Sequence, residues 1–179
     1  YGYARQDRKA EGRVPITAKL VANLLTSAGT QRVLTLDLHA AQIQGFFDIP
    51  VDHLYASPVI LRAVKRLNLD MRDVIVLSPD EGSVKRALRY QKKLNVDMAI
   101  VDKRRVSAER VEAANLIGAS MEGKVAIIFD DMISTAGTVA SAARTARTAG
   151  KARAVYVFAT HGVLCGDAIK NLKEAPIEK

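Results

Sequence analysis

Short apolar runs and helix-forming segments alternate along this chain, and the alternation restricts the fold more than any other feature. The runs at 32–36, 74–77, 98–101, 125–129 and 155–159 are four or five residues long and rich in Val, Ile, Leu or Ala. Runs of that length read as strands, and the wholly apolar ones as strands covered on both faces. Between them the spacing predicts helices over 15–28, 57–67, 84–94, 138–149 and 167–172. Pro15 and Pro58 fall in first turns, where a missing N–H is tolerated. Gly29 and Gly150 stand where helices stop. Strand and helix in alternation give an α/β fold, a mainly parallel sheet flanked by helices. A mild boundary over 49–58 divides the chain into 1–56 and 57–179.

Every expected strand runs into polar residues at its carboxyl end: Asp37-Leu38-His39, Ser78-Pro79-Asp80, Asp102-Lys103-Arg104-Arg105, Asp130-Asp131 and Thr160-His161. Parallel α/β sheets bind ligands in the crevice at those ends. The segment at 125–138, VAIIFDDMISTAGT, is the most telling. Asp130 and Asp131 are expected where the strand ends. Ser134, Thr135, Ala136, Gly137 and Thr138 then offer hydroxyls and unobstructed N–H groups as a helix begins, which suits an anion. Two carboxylates beside a phosphate would repel it, unless they hold the hydroxyls of an attached sugar or a metal ion. The ligand implied is a sugar phosphate. A Walker A loop is ruled out, because no G-x-x-x-x-G-K-[ST] string occurs.

Other clusters leave alternatives open. In the opening segment, Arg5, Gln6, Asp7, Arg8 and Lys9 have the chemistry to grip phosphate and read a base edge, or form a solvated loop. His39 suits metal or acid–base work, or a structural role. The turn 78–83 suits a metal or sugar hydroxyls, or caps a helix. The cations at 103–105 suit stabilisation of a transferred phosphoryl group, or a solvated basic face. Phe46 and Phe47 are expected in the core or at a subunit contact, and Cys165 as a small packed residue. His53 and His161 are read as structural.

The net charge of +8 calls for anionic ligands or a tolerant surface. With 5% aromatic residues and no Trp, stacking platforms for single-stranded nucleic acid are scarce, and the cations are spread along the chain. Nucleic acid is therefore not the expected partner. No apolar run approaches a membrane span. Residues 1–12 are polar, which predicts no leader, and the single cysteine fits a reducing, cytoplasmic setting.

Taken in order, the strings YGYARQDRKA, PITAKLVANLL, LDLHAAQIQGFFDIPVDHLYA, SPDEGSVKRA, IVDKRR, FDDMISTAGT and THGVL resemble class I ribose-phosphate diphosphokinase (5-phosphoribosyl 1-diphosphate, or PRPP, synthetase) of bacterial type. The resemblance implies tandem domains of the type I phosphoribosyltransferase kind. Residues 1–56 would be the last part of the first domain and 57–179 most of the second. It implies ATP contacts at Arg5, Gln6, Asp7, Arg8, Lys9 and His39, and metal contacts at His39 and Asp80. Lys103 and Arg105 would be catalytic. Asp130, Asp131, Ser134, Thr135, Ala136, Gly137 and Thr138 would hold ribose 5-phosphate. Mg²⁺ is the implied cofactor, and self-association into dimer-based hexamers is implied.

The chain departs from that family in having Ser134 where Asp is usual, and Glu81-Gly82-Ser83 where a Gly pair is usual. The family's opening third and its end are missing, so the 179 residues alone are expected to be inactive. The same reading leaves two alternatives: a regulatory homologue without catalysis, which Ser134 keeps open although His39, Lys103 and Arg105 are all present, and a PRPP-consuming phosphoribosyltransferase. The latter would have no need of the ARQD segment or the cations at 103–105.

Overall fold

The computed structural model describes residues 1–9, 11–102, 105–107, 110–111 and 115–178, with the backbone alone for 105–107 and 110–111. The chain divides into two compact units, Tyr1–Val59 and Ile60–Lys179.

The first unit holds helix α1 (Thr17–Ser27), strand β1 (Val33–Leu36), a short 3₁₀ segment (Ala41–Phe46) and strand β2 (Val51–Leu54). The two strands pair in parallel, Val33 beside Val51 and Leu36 beside Leu54. β2 was not foreseen, because its sequence Val-Asp-His-Leu mixes polar and apolar residues. The core gathers Ala4, Ala18, Ala22, Ile43 and Phe47, with Phe46 packed against it. Phe46 and Phe47 thus meet the expectation of a core role. α1 buries its alanine stripe, Ala18 and Ala22, one helical turn apart. Its Leu20, Leu24 and Leu25 are exposed.

Helix α2 (Ser57–Lys65) links into the second unit. There follow β3 (Val74–Ser78), α3 (Val84–Leu94), β4 (Asp97–Asp102), β5 (Arg105–Ser107), β6 (Arg110–Val111), β7 (Asn115–Gly118), β8 (Val125–Ile133), α4 (Gly137–Thr148), β9 (Ala154–Gly162) and α5 (Ala168–Glu174). The main sheet has the order β7-β4-β3-β8-β9. All its pairs are parallel except β4 with β7. β5 and β6 form a separate antiparallel ribbon.

β3 is buried along its whole length, as a central strand with helices on both faces must be. Ile75, Leu77, Ile128, Val139, Ala143 and Val155 form part of the core between sheet and α4. Small alanines along α4 let the helix lie close to the sheet. The edge strand β7 escaped the sequence reading because it is short and ends in Gly118. That glycine has φ +117, and a Cβ there would stand 2.6 Å from the carbonyl oxygen of Met98.

From β3 the chain crosses to β4 on one side, then returns to β8 on the other. The reversal puts a switch point between the carboxyl ends of β3 and β8, where α/β sheets open a ligand crevice.

Candidate active site

β8 is longer than its apolar run. It continues through Asp130 and Asp131 to Ile133 because β9 also continues, pairing Asp130 with Ala159 and Met132 with His161. The acidic pair therefore lies inside an extended strand rather than at its end. Successive strand residues face opposite sides, so Asp131 shares a face with Phe129 and Asp130 takes the other. Both carboxylates nevertheless meet one guanidinium. Arg86 donates from Nη1 to Asp130 Oδ1 at 2.7 Å and from Nη2 to Asp131 Oδ1 at 2.9 Å. Nη1 also lies 3.5 Å from Ser83 Oγ.

The cluster is largely shielded from water: Arg86 is 16% exposed and Asp130 14%, and Asp131 is 6%. Burial pushes the Asp130 carboxyl up to about 7, assisted by Asp131 and opposed by Arg86. Two adjacent carboxylates in poor contact with water disfavour double ionisation. The bridging cation works against that tendency.

Arg86 was not singled out from the sequence. It lies in the first turn of α3, three residues after Ser83, among other cations of the same helix that the sequence does not set apart from it. Asp80 fixes the turn 78–83. Its Oδ1 accepts from the Ser83 N–H at 2.9 Å, and its carbonyl accepts from Ser78 Oγ at 2.8 Å. The helix-cap alternative for this turn is thus realised through Asp80. Further along α3, Tyr90 stacks on Phe129 with ring centroids 3.9 Å apart. Because Tyr90 lies one turn beyond Arg86, that stack holds the guanidinium over the residues that follow Phe129.

Beyond β8, Ser134 and Thr135 lead to Ala136, which takes a left-handed conformation with φ 63°. α4 starts at Gly137, and Ala140 donates the helix's first ladder bond to Ala136 O. The N–H groups just before Ala140 are not used by that ladder, so the turn has the features of an anion cradle. Its outer side is clasped. Leu164 N–H donates to Ile133 O and Cys165 N–H to Ser134 O, each at 3.0 Å. Asn171 Nδ2 of α5 donates to Thr135 O at 2.8 Å. Ser134 Oγ and Cys165 Sγ are 3.1 Å apart. Cys165 is exposed, which corrects the expectation of a packed residue. It lies past the end of β9, alongside the cradle rather than under it.

The remaining candidates of the second unit are Lys103 and Arg105. Lys103 lies outside the described residues, and Arg105 is described only as backbone in β5.

In the first unit, the opening segment docks on α1. Ala18 N–H donates to Gln6 O at 3.1 Å, and Tyr1 hydroxyl donates to Ala18 O at 2.6 Å. Asp7 accepts from Gln42 Nε2 at 2.7 Å and sits 3.8 Å from Arg8. Arg5, Gln6, Arg8 and Lys9 are exposed. The 37–39 turn is tied to β2: Asp37 Oδ2 accepts from Ala56 N–H, and His53 Nε2 accepts from Leu38 N–H, each at 3.0 Å. Asp37 and His53 are therefore structural here, while His39 presents an exposed imidazole.

Two family models match parts of the chain. Residues 1–29 match the N-terminal domain of ribose phosphate pyrophosphokinase, and residues 109–179 match the phosphoribosyl synthetase-associated domain. A ribose-phosphate pyrophosphokinase of Rhodopirellula baltica is 62% identical over 99% of this chain and 56% of its own length. One from Clostridium perfringens is 55% identical over 100% of this chain and 56% of its own. The chain thus spans a little over half the length of these relatives. The crystal structure of phosphoribosylpyrophosphate synthetase from Mycobacterium smegmatis matches with a TM-score of 0.89 at 41% identity, covering 100% of this chain and 57% of that one. An adenine phosphoribosyltransferase, 19% identical, shares the fold at a TM-score of 0.50 over 68% of this chain and 74% of its own. The α/β architecture of the type I phosphoribosyltransferases, expected from the sequence, is the one found. The chain belongs to the ribose-phosphate pyrophosphokinase family.

Proposed function

We propose that the protein carrying this chain is a ribose-phosphate diphosphokinase. It transfers the β,γ-diphosphoryl group of ATP to the C1 hydroxyl of ribose 5-phosphate, giving PRPP and AMP for nucleotide synthesis. The observation that most supports this reading is the acidic pair set beside the small-residue cradle at the start of α4. A ligand suited to both has hydroxyls at one end and a phosphate at the other, as ribose 5-phosphate does. The relatives carry the same activity in their names.

In this reading the 5-phosphate rests on the turn 134–138. Asp130 and Asp131 accept hydrogen bonds from the ribose hydroxyls and orient the sugar. Arg5, Gln6, Asp7, Arg8, Lys9 and His39 bind ATP. The C1 oxygen attacks the β-phosphorus, the bond from that phosphorus to the α-phosphate oxygen breaks, and the hydroxyl proton is lost. No covalent enzyme intermediate is needed, so positioning and charge stabilisation supply the catalysis. Lys103 and Arg105 offset charge on the transferred oxygens.

Among the described residues no three or more His, Cys, Asp or Glu gather as a metal cage. Mg²⁺ does not need one: it prefers oxygen ligands and leans on one or two carboxylates plus substrate phosphates. Asp80 is a donor of that kind, and His39 would contact the Mg²⁺–nucleotide. When bound, the ion supplies charge neutralisation on the diphosphoryl group. Residues 1–56 and 57–179 are read as parts of tandem phosphoribosyltransferase-like domains. The working form would be a cytoplasmic homo-oligomer built from dimers.

The test is AMP release by the complete gene product from ATP and Mg²⁺, with and without ribose 5-phosphate, beside a Lys103→Ala variant. AMP that requires ribose 5-phosphate and is lost in the variant is the expected result. A folded protein that releases none would favour the regulatory homologue, with Ser134→Asp as the restoring change to try.

A further inference from the structure

We propose that Arg86 is the positioning residue of the acidic pair, and that its guanidinium sets how Asp130 and Asp131 together receive the sugar. The inference rests on the reading of this site as a ribose 5-phosphate site.

The backbone alone would not bring the two carboxylates together. Neighbours on a strand leave opposite faces, and like charges favour separation. β8 has no β3 partner beyond Ile128, and only a group that reaches both faces from that side can draw them to one point. The planar guanidinium does so by giving one N–H to each carboxylate, at 2.7 and 2.9 Å. This differs from the usual fork, in which both donors meet one carboxylate. The bridge fixes the rotation of two side chains with a single cation, and an ammonium on a flexible stem cannot reproduce that fork.

Three features hold Arg86 in place. Asp80 caps the turn before α3. Ser83 Oγ stands beside the guanidinium. The Tyr90–Phe129 stack docks the helix one turn further on. Arg86 is thus braced from its own helix and from β8, the strand that bears the acids. Its charge also offsets one of the two carboxylates. That charge opposes the protonation which burial favours at Asp130, and so favours the pair as acceptors of a diol's hydrogen bonds.

The test uses the complete gene product with Arg86→Gln and Arg86→Lys. The readouts are direct calorimetric binding of ribose 5-phosphate, KM for ribose 5-phosphate, KM for ATP, and thermal melting. Arg86→Gln is expected to weaken ribose 5-phosphate binding and raise its KM by about ten- to a hundredfold, the range seen when the partners that orient metal-holding side chains are removed. KM for ATP is expected to stay within about twofold, because a lost sugar contact is read out in the sugar's own KM. Arg86→Lys keeps the charge without the fork and is expected to recover only part of the loss.

A merely structural role predicts a lower melting temperature with both KM values unchanged in the folded fraction, and that result would overturn the proposal. So would full recovery by Arg86→Lys, since charge alone would then suffice. Should Arg86→Gln fail to fold, Arg86→Lys decides through the ratio of the two KM values. The calorimetry separates this proposal from the function assigned above. Loss of ribose 5-phosphate binding in Arg86→Gln, in a protein that makes no AMP, would sustain the inference while removing that function. Normal AMP release with unchanged binding in Arg86→Gln would do the reverse.

Discussion

Asp130 is the residue whose chemistry is most altered by the fold. Its carboxyl moves from 3.8 to about 7 because burial penalises the charged form and Asp131 adds to the penalty. Between those values the folded chain binds a proton that the unfolded chain has released. The group's contribution to stability is therefore fully present below about pH 4, falls as pH rises toward 7, and stays low above that. We predict that Asp130→Asn flattens this part of the pH dependence. Urea midpoints measured at pH 5 and pH 8 should differ less in the variant than in the parent. An equal difference in both would place the proton elsewhere. Such a buried like-charge pair is retained at a cost in stability, as ligand-binding groups often are. The acids themselves were legible in the sequence, because Asp-Asp before a small-residue turn is a local pattern. Arg86 was not. Nothing in Val-Lys-Arg-Ala separates it from the other cations on α3, and its role exists only where α3 meets β8.

Helix α3 joins the acidic pair to the rest of the sheet, and Tyr90 is its anchor. The ring is nearly buried and stacks on Phe129. Removing a buried aromatic side chain commonly costs about 3–5 kcal/mol. We predict that Tyr90→Ala loses stability on that scale, measured by denaturant unfolding, and also raises KM for ribose 5-phosphate, because Arg86 rides on the same helix. Tyr90→Phe keeps the ring stack and should lose less stability than Tyr90→Ala. A Tyr90→Ala protein with normal KM would show that α3 needs no such brace. Boundaries of α3 and of the parallel strands agree with the sequence reading to within a residue or two, apart from the carboxyl-end extensions of β8 and β9. Those depend on each other for hydrogen-bond partners, and no run of residues announces that dependence. β2 and β7 were missed for a related reason: each is short, and each is a strand by virtue of its neighbour.

The first unit leaves apolar side chains uncovered on its small sheet. Leu34 is 70% exposed, and Leu36 and Leu54 are also exposed. Leu34 and Leu36 share a face of the small sheet, with Leu54 paired beside Leu36. Two strands are marginal as a sheet without further support, and an apolar strip of that kind marks a surface to be covered. We predict that the 179 residues expressed alone bind a hydrophobic dye, form no defined oligomer and release no AMP, whereas a polypeptide of the relatives' full length binds no dye, forms one defined oligomer and makes AMP. Dye fluorescence, light scattering and AMP assay check this. A monodisperse, active 179-residue protein would contradict it.

The sequence by itself determined the strand–helix alternation, most helix limits and the place of the small-residue turn. Each follows from periodicity, caps and backbone freedom within a few neighbouring residues. Only the tertiary structure decided that β3 lies between β4 and β8, that β8 and β9 lengthen each other, and that one guanidinium on α3 joins two carboxylates from opposite faces of a strand. These depend on which distant segments pack together. Such packing is set by shape and charge summed over the whole core, and no short stretch of sequence carries that sum.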